Sequence, residues 1–342
     1  MRWRAHAACY SRGVGDDQNE TAVERIVATL APIAEVDKRR ALVVVNPYAT
    51  TVSDRLRNLV VYALAARYAV DAVETERRGH AVELARAAAA EGYGLVIAFG
   101  GDGTVNEVAN GLAGSGVALS CLPGGSANVY CKLLGIPGEI VDATEHLLGV
   151  ADRFAPRLVD LGEVEGRLYT FSAGVGMDAR VVQGVDSRPR LKSRFGPYFF
   201  LAAALATFTR RYLIAPPRMF VNVGGETLSG VTTIVQNAEH YTYFHDHPID
   251  LADGATLDGG TLSGVVLRRA SLLGAPSLIA RGAIAAARVS GHRQVRGFSG
   301  ATSLTVSSAT GRPLPLQVDG DYIGEVSEAR FTIRPRALSV VS

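Results

Sequence analysis

Three short apolar runs, Ala41–Val45, Leu95–Phe99 and Val117–Cys121, alternate with stretches whose apolar residues return at helical spacing. This rhythm limits the fold more than any other feature. After the first run, Leu56, Leu59, Val60, Ala63 and Leu64 mark one helical face, with Ser53 placed to cap it. A further strand over 69–75 and helices over 80–91 and 104–113 complete the series. Such alternation implies a parallel sheet covered by helices on both faces, with ligands bound beyond the carboxyl ends of the strands.

Beyond about Pro156 the texture changes. Short alternating runs with glycine turns, such as LVDLGEVEGRLYTFSAGVG and MFVNVGGETLSGVTTIVQN, read as antiparallel hairpins. The expected organisation is an extension over 1–38, an α/β domain over 39–157 to which 325–342 return, and a β-rich domain over 158–324. A helical pattern over 271–288 interrupts the second domain. The 342 residues, 48% hydrophobic and 20% charged, suit about two globular domains and exclude a disordered or fibrous chain.

A net charge of +2 leaves no basic footprint for nucleic acid. Three cysteines cannot build a disulfide framework and fit a reducing, cytoplasmic setting. No apolar run reaches the ~18 residues needed to span a bilayer, and the first residues lack the apolar core of a signal peptide.

The chemistry concentrates at two turns. Leu95–Phe99 runs straight into Gly100-Gly101-Asp102-Gly103-Thr104-Val105-Asn106-Glu107, and a helix follows. Glycines permit positive φ and close backbone approach, and the amides of a helix N-terminus attract phosphate oxygens. Asp102 beside a phosphate would need a cation between them, for which magnesium is suited. Alternatively, Asp102 closes an ordinary Asx-type turn.

A second turn, Pro123-Gly124-Gly125-Ser126-Ala127-Asn128, again opens a helix, and neighbouring strand ends would bring the two turns to one crevice; the same residues also suit a plain loop. The chain has no Gly-Lys pair for a Walker loop, and Asn106 stands where a dinucleotide fingerprint needs its third glycine. The serine-hydrolase elbow and the zincin motif are absent as well.

Taken together, GGDGTVNEV at 100–108, PGGSANV at 123–129, Asn46-Pro47 after the first strand and Val318-Asp319-Gly320 near the end resemble the diacylglycerol kinase catalytic-domain family. That family includes bacterial lipid kinases and sphingosine kinases. The resemblance implies a Rossmann-like parallel-sheet nucleotide-binding domain of the NAD kinase type, followed by an antiparallel β-sandwich, with ATP in the cleft between them. It implies transfer of the γ-phosphate of ATP, with Mg2+, to the hydroxyl of diacylglycerol or a similar lipid.

Carried over by position, Asn46, Pro47 and Thr50 would line the nucleotide and Thr75 would contact it. Gly100, Gly101, Asp102, Gly103, Thr104, Asn106 and Glu107 would surround the phosphates, with Gly125 and Ser126 as further contacts. Asp319 and Asp321 would take the hydroxyl proton, and Asp102 would act through magnesium or its waters. Asp258 would hold a structural magnesium, shifted by one residue because Gly259 occupies the family's aspartate position.

Three further departures stand out: Tyr48-Ala49-Thr50 replaces a small hydroxyl residue and glycine, Ser126 replaces threonine, and Asp321 replaces glutamate. A sphingoid-base or other lipid-alcohol kinase is the neighbouring reading. The departures also keep alive a degenerate nucleotide-binding regulator. Read without the resemblance, Asp319-Gly320-Asp321 is a hairpin turn.

A lipid acceptor implies peripheral contact with the inner membrane surface. Arg188, Arg190, Lys192, Arg194, Arg210 and Arg211 flank the apolar stretch 198–205, which reads either as an interfacial element or as a core helix with solvated ends. His240, His245, Asp246, His247 and Asp250 match no zinc spacing and suit a hairpin or substrate-pocket loop. A homodimer is left open.

Overall fold

The computed structural model describes residues 38–186, 218–244, 247–269, 281 and 289–342. The expectations for the extension before residue 38, the arginine-flanked stretch 188–211, His245, Asp246 and the helical pattern over 271–288 lie outside or largely outside these residues. None of the described helices is long and apolar enough to cross a membrane.

The chain divides into two compact units. The first ends at Arg157 and is joined by Leu338–Ser342, and the second spans Leu158–Ala337. Of the expected return over 325–342, only the last five residues reach the first unit. Residues 328–332 are held in the second by antiparallel pairing of the final strand β18 (Glu328–Val340) with β15 (Ser303–Ser308).

In the first unit, four βα steps follow one another: β1 (Arg40–Val45), α1 (Asp54–Leu64), β2 (Ala69–Glu74), α2 (His80–Ala90), β3 (Leu95–Gly100), α3 (Asp102–Leu112), β4 (Ala118–Pro123) and α4 (Val129–Leu133), with α5 (Ile140–Asp152) after them. The strands are parallel in the order β2-β1-β3-β4, and the end of β18 adds Ser339 and Val340 beside Ala118 and Leu119. Every residue of β3 and β4 is buried. Strands covered on both faces read as unbroken apolar runs, which is why LVIAF and ALSCL lack alternation. Ser53 caps α1 as expected, its Oγ accepting the Leu56 N–H at 3.3 Å.

The second unit is a sandwich. One sheet runs β14-β13-β10-β7-β16-β17, from β14 (Val295–Ala301), β13 (Leu262–Leu267), β10 (Thr232–Gln236), β7 (Ser172–Gly176), β16 (Leu314–Val318) and β17 (Asp321–Val326). The facing layer holds β18, β15, β8 (Met219–Val223) and β9 (Glu226–Gly230), flanked by the hairpin of β5 (Arg157–Val164) and β6 (Arg167–Tyr169). Val175, Val235, Leu316 and Val318 from the first sheet share a core with Met219, Val221, Val306 and Phe331 from the second. The unit also holds the short hairpin β11 (Thr242–Phe244) and β12 (His247–Ile249), the helix α6 (Met177–Asp186) and a 3-10 turn over Val289–Gly291.

Candidate functional site

In the first unit the loops after β1, β3 and β4 are tied into one cluster. Asn46 donates its backbone N–H to Phe99 O at 2.9 Å, and its side-chain Nδ2 donates to Thr104 Oγ1 at 3.1 Å. Thr51 N–H reaches Gly124 O at 3.2 Å, and Gly124 N–H reaches Gly100 O at 2.9 Å. The two glycine turns lie backbone against backbone. A Cβ on Gly124 would stand 2.8 Å from Gly100 Cα, and one on Gly125 would stand 2.8 Å from Gly101 Cα.

Close approach, and not positive φ, is therefore what these glycines supply. None of Gly100, Gly101, Gly103, Gly124 and Gly125 has a left-handed backbone; in the second turn that conformation falls on Asn128, at φ 49°. Asn128 completes its turn by accepting Gly125 N–H and donating to Gly125 O, both at 2.8 Å. Gly101 is the N-cap of α3 and offers no side chain to it. First-turn helix amides have no acceptor within the helix, which is the physical basis of anion binding there.

The carried-over positions differ in what surrounds them. Asn106 is only 1% exposed, and its Oδ1 accepts from Asn110 Nδ2 at 3.2 Å, one turn further along α3. Thr104 is buried and accepts from Asn46, and Gly100 is buried with no room for a side chain, since a Cβ would meet Thr104 Oγ1 at 2.5 Å. The amides of Thr104 and Val105 turn back to Gly101 O, which concentrates any phosphate contact of the first turn nearer Gly101 and Gly103. Glu107 places both carboxylate oxygens on the start of α2, accepting from Gly79 N–H at 2.8 Å and Ala81 N–H at 3.2 Å. Pro47, Thr50 and Ser126 are exposed, and Thr75 follows β2 with its N–H on Val45 O at 2.8 Å.

Asp102 is half-buried, and its Oδ1 accepts Tyr130 N–H at 3.0 Å, which joins the two turns through the first residues of α4. Magnesium is commonly held by one or two carboxylates together with substrate phosphates. A carboxylate beside two glycine turns fits that arrangement, and Asp102 would hold such an ion. Asp258 does not fit a structural metal. It is exposed, and among the described residues no three acidic, histidine or cysteine side chains gather around any point. The neighbouring Asp160 spends its carboxylate on Gly260 N–H at 2.6 Å and Arg336 N–H at 2.8 Å.

In the second unit, Asp319-Gly320 is a two-residue turn between β16 and β17, with φ of 48° and 81°. The Asp319 carboxylate is 4% exposed and accepts four hydrogen bonds: Oδ2 from Thr170 N–H (2.6 Å) and Thr170 Oγ1 (2.8 Å), Oδ1 from Phe171 N–H (3.0 Å) and Ser172 N–H (3.1 Å). Burial pushes its pKa above the ordinary value, against the pull of those donors. A carboxylate so engaged anchors the turn. Asp321, at the start of β17, is half-buried.

The sequence reading missed a second, half-buried carboxylate in the same unit. Asp178, in the first turn of α6, accepts from Tyr241 OH at 2.5 Å and from Gln317 Nε2 at 2.7 Å, while Gln317 Oε1 accepts Gly320 N–H at 2.9 Å. Burial raises the Asp178 carboxyl and holds the Tyr241 hydroxyl well above its usual range. Gly174 leaves the carboxylate its room: a Cβ there would stand 2.2 Å from Asp178 Oδ2. His240 Nδ1 lies 2.5 Å from Asp250 Oδ1 at the base of the β11–β12 hairpin, and among the described residues no metal-binding cluster forms around the pair.

Comparison with known proteins places this geometry. The family model described as the diacylglycerol kinase catalytic domain matches residues 40–159. A diacylglycerol kinase of Bacillus subtilis (strain 168) is 30% identical over 216 residues, 60% of this chain and 66% of that protein. A protein named "Probable lipid kinase YegS-like" of Pseudomonas syringae pv. syringae (strain B728a) is 31% identical over 174 residues, half of this chain and 54% of its own length. The chain thus spans about two thirds and about half of these two relatives. A diacylglycerol kinase of Staphylococcus epidermidis is 28% identical across 84% of this chain and 88% of that one. In fold, the chain is similar to a solved diacylglycerol kinase from Bacillus anthracis str. Sterne, with a TM-score of 0.68 and 21% identity over 90% of this chain and 98% of the other.

Proposed function

We propose, from the premise that residues 40–159 belong to the diacylglycerol kinase catalytic-domain family, that this protein is a lipid kinase transferring the γ-phosphate of ATP to the hydroxyl of diacylglycerol or a similar lipid. The observation that carries the reading is the backbone contact of the two glycine turns at the ends of β3 and β4, with Asp102 inside one of them. Phosphoryl transfer demands mostly positioning and charge stabilisation, because the charge of the transition state is spread over phosphate oxygens. Main-chain amides around Gly101, Gly103 and Ser126 would orient the triphosphate. Asp102 would hold magnesium, which when bound would supply charge neutralisation for the phosphates. Asp321 would accept the proton of the attacking hydroxyl, and Asp319 would hold the turn that presents it.

The acceptor being a lipid, the protein would work at a bilayer surface. The test uses purified protein, labelled ATP, magnesium and a panel of lipids in mixed micelles. Label in diacylglycerol supports the reading, and label in a sphingoid base redirects it to the neighbouring substrate. ATP binding with no transfer to any lipid would overturn it in favour of a regulator.

Asp321→Asn is expected to lower kcat by at least about a hundredfold, the usual scale for general-base removal, while leaving ATP affinity and unfolding midpoint close to those of the parent. Undiminished turnover would remove Asp321 as the base.

A further inference from the structure

Glu107 lies one turn into α3, in the run where phosphate contacts were expected, yet an uncompensated carboxylate beside a triphosphate is repulsive. Its position resolves that conflict. Both oxygens are engaged by the Gly79 and Ala81 amides at the N-terminus of α2, a favourable place for negative charge. Gly79 is the N-cap of α2, with φ 84° and no side chain to close its own helix. The cap comes instead from the neighbouring helix.

The segment in front of α2 is also held by one bond to the end of β1 and by local bonds. Thr75 N–H binds Val45 O at 2.8 Å, Glu76 N–H binds His80 Nδ1 at 3.1 Å, and His80 N–H binds Arg77 O at 3.2 Å. Since Nδ1 of His80 accepts, the ring proton belongs on Nε2. The two helices also pack closely, for a Cβ on Gly111 of α3 would meet Ala85 Cβ at 2.6 Å and Val82 O at 2.7 Å. A movement of α2 is thereby a movement against the helix that begins at the first glycine turn.

We infer that Glu107 is a positioning residue: it fixes the 75–80 segment, Thr75 and the Nε2–H form of His80 included, in register with the glycine turn of α3, and so sets nucleotide affinity without touching the nucleotide. The inference rests on the ATP-site reading above.

The test compares Glu107→Gln and Glu107→Ala with the parent, using the full chain. Hydrogen exchange of peptides covering 75–82 is measured without ligand, ATP affinity by titration, and KM for ATP and for lipid by turnover. Glu107→Ala is expected to speed exchange at Gly79 and Ala81 by at least about tenfold and to weaken ATP by about tenfold, on the scale of one lost charge-assisted hydrogen bond. Lipid KM should stay within about twofold, since the effect acts through nucleotide placement. Glu107→Gln, which keeps one acceptor oxygen, should fall between, and it serves as the decisive variant if the alanine protein does not fold.

Unchanged exchange at 79–81 would overturn the brace. Faster exchange with unaltered ATP affinity would overturn its functional consequence, as would equal changes in both KM values. Failure of the parent protein to bind ATP would remove the functional reading and the nucleotide half of this inference, while exchange would still decide the brace.

Discussion

Gly124→Ala is expected to abolish measurable ATP binding. The added Cβ would stand 2.8 Å from Gly100 Cα and 3.1 Å from both Gly100 C and Gly100 N, so every close neighbour is backbone. No rotamer change can relieve such a contact, and the hydrogen bond from Gly124 N–H to Gly100 O holds the strands together at that same point. The ends of β3 and β4 must separate. Overpacking of this kind costs about 1–3 kcal/mol of stability, sometimes more, and a displacement near 1 Å at a positioning group costs on the order of a hundredfold in function.

Gly149→Ala provides the contrast. That glycine lies within α5 with nothing near its missing Cβ, and the change should be neutral or stabilising by about 0.5–1 kcal/mol. Isothermal titration with ATP and a urea melt check both variants. Tight ATP binding by Gly124→Ala would mean that the contact between the turns does not form the nucleotide site.

The second large effect is on folding. Asp319→Asn is expected to destabilise the second unit by about 3–5 kcal/mol, the scale of breaking a buried charged network. Asparagine tolerates the positive φ of 48° at this turn, so backbone strain is nearly unchanged. What changes is the acceptor set. Four donors from Thr170, Phe171 and Ser172 now meet one carbonyl oxygen and an amide group that itself donates. Each buried donor left unmatched costs about 1–3 kcal/mol. A lowered urea midpoint for the unit is the expected reading, with turnover lost as a consequence of the unmoored turn. If stability were unchanged and only turnover fell, Asp319 would regain the role of proton acceptor.

These expectations show where sequence was informative. The parallel sheet was legible because strands buried on both faces must be apolar throughout, as Leu95–Phe99 is. The sandwich was legible through its turns: Glu165-Gly166 and Gly224-Gly225 both take positive φ between paired strands. Ser53 announced its own helix.

The site was less so. A glycine letter does not say whether it serves a left-handed backbone or a close approach, and at Gly100, Gly124 and Gly125 the second applies. Carboxylates were harder still, because the partner decides the role. Glu107 and Asp319 stand in motifs that suggest contact with substrate, yet their oxygens are taken by backbone amides 28 and about 150 residues away. Asp178 sits in no motif the reading used, and its partners Tyr241 and Gln317 are 63 and 139 residues distant. Local pattern cannot reveal a hydrogen bond between segments that only the sandwich brings together.

The central claim is that amides of the two glycine turns hold the triphosphate of ATP. A crystal structure with a non-hydrolysable ATP analogue and magnesium tests it most directly. The account predicts phosphate oxygens within hydrogen-bonding distance of main-chain nitrogens at Gly101 to Gly103 and near Ser126, with the cation beside Asp102. A nucleotide seated elsewhere, with both turns free of phosphate, would contradict it.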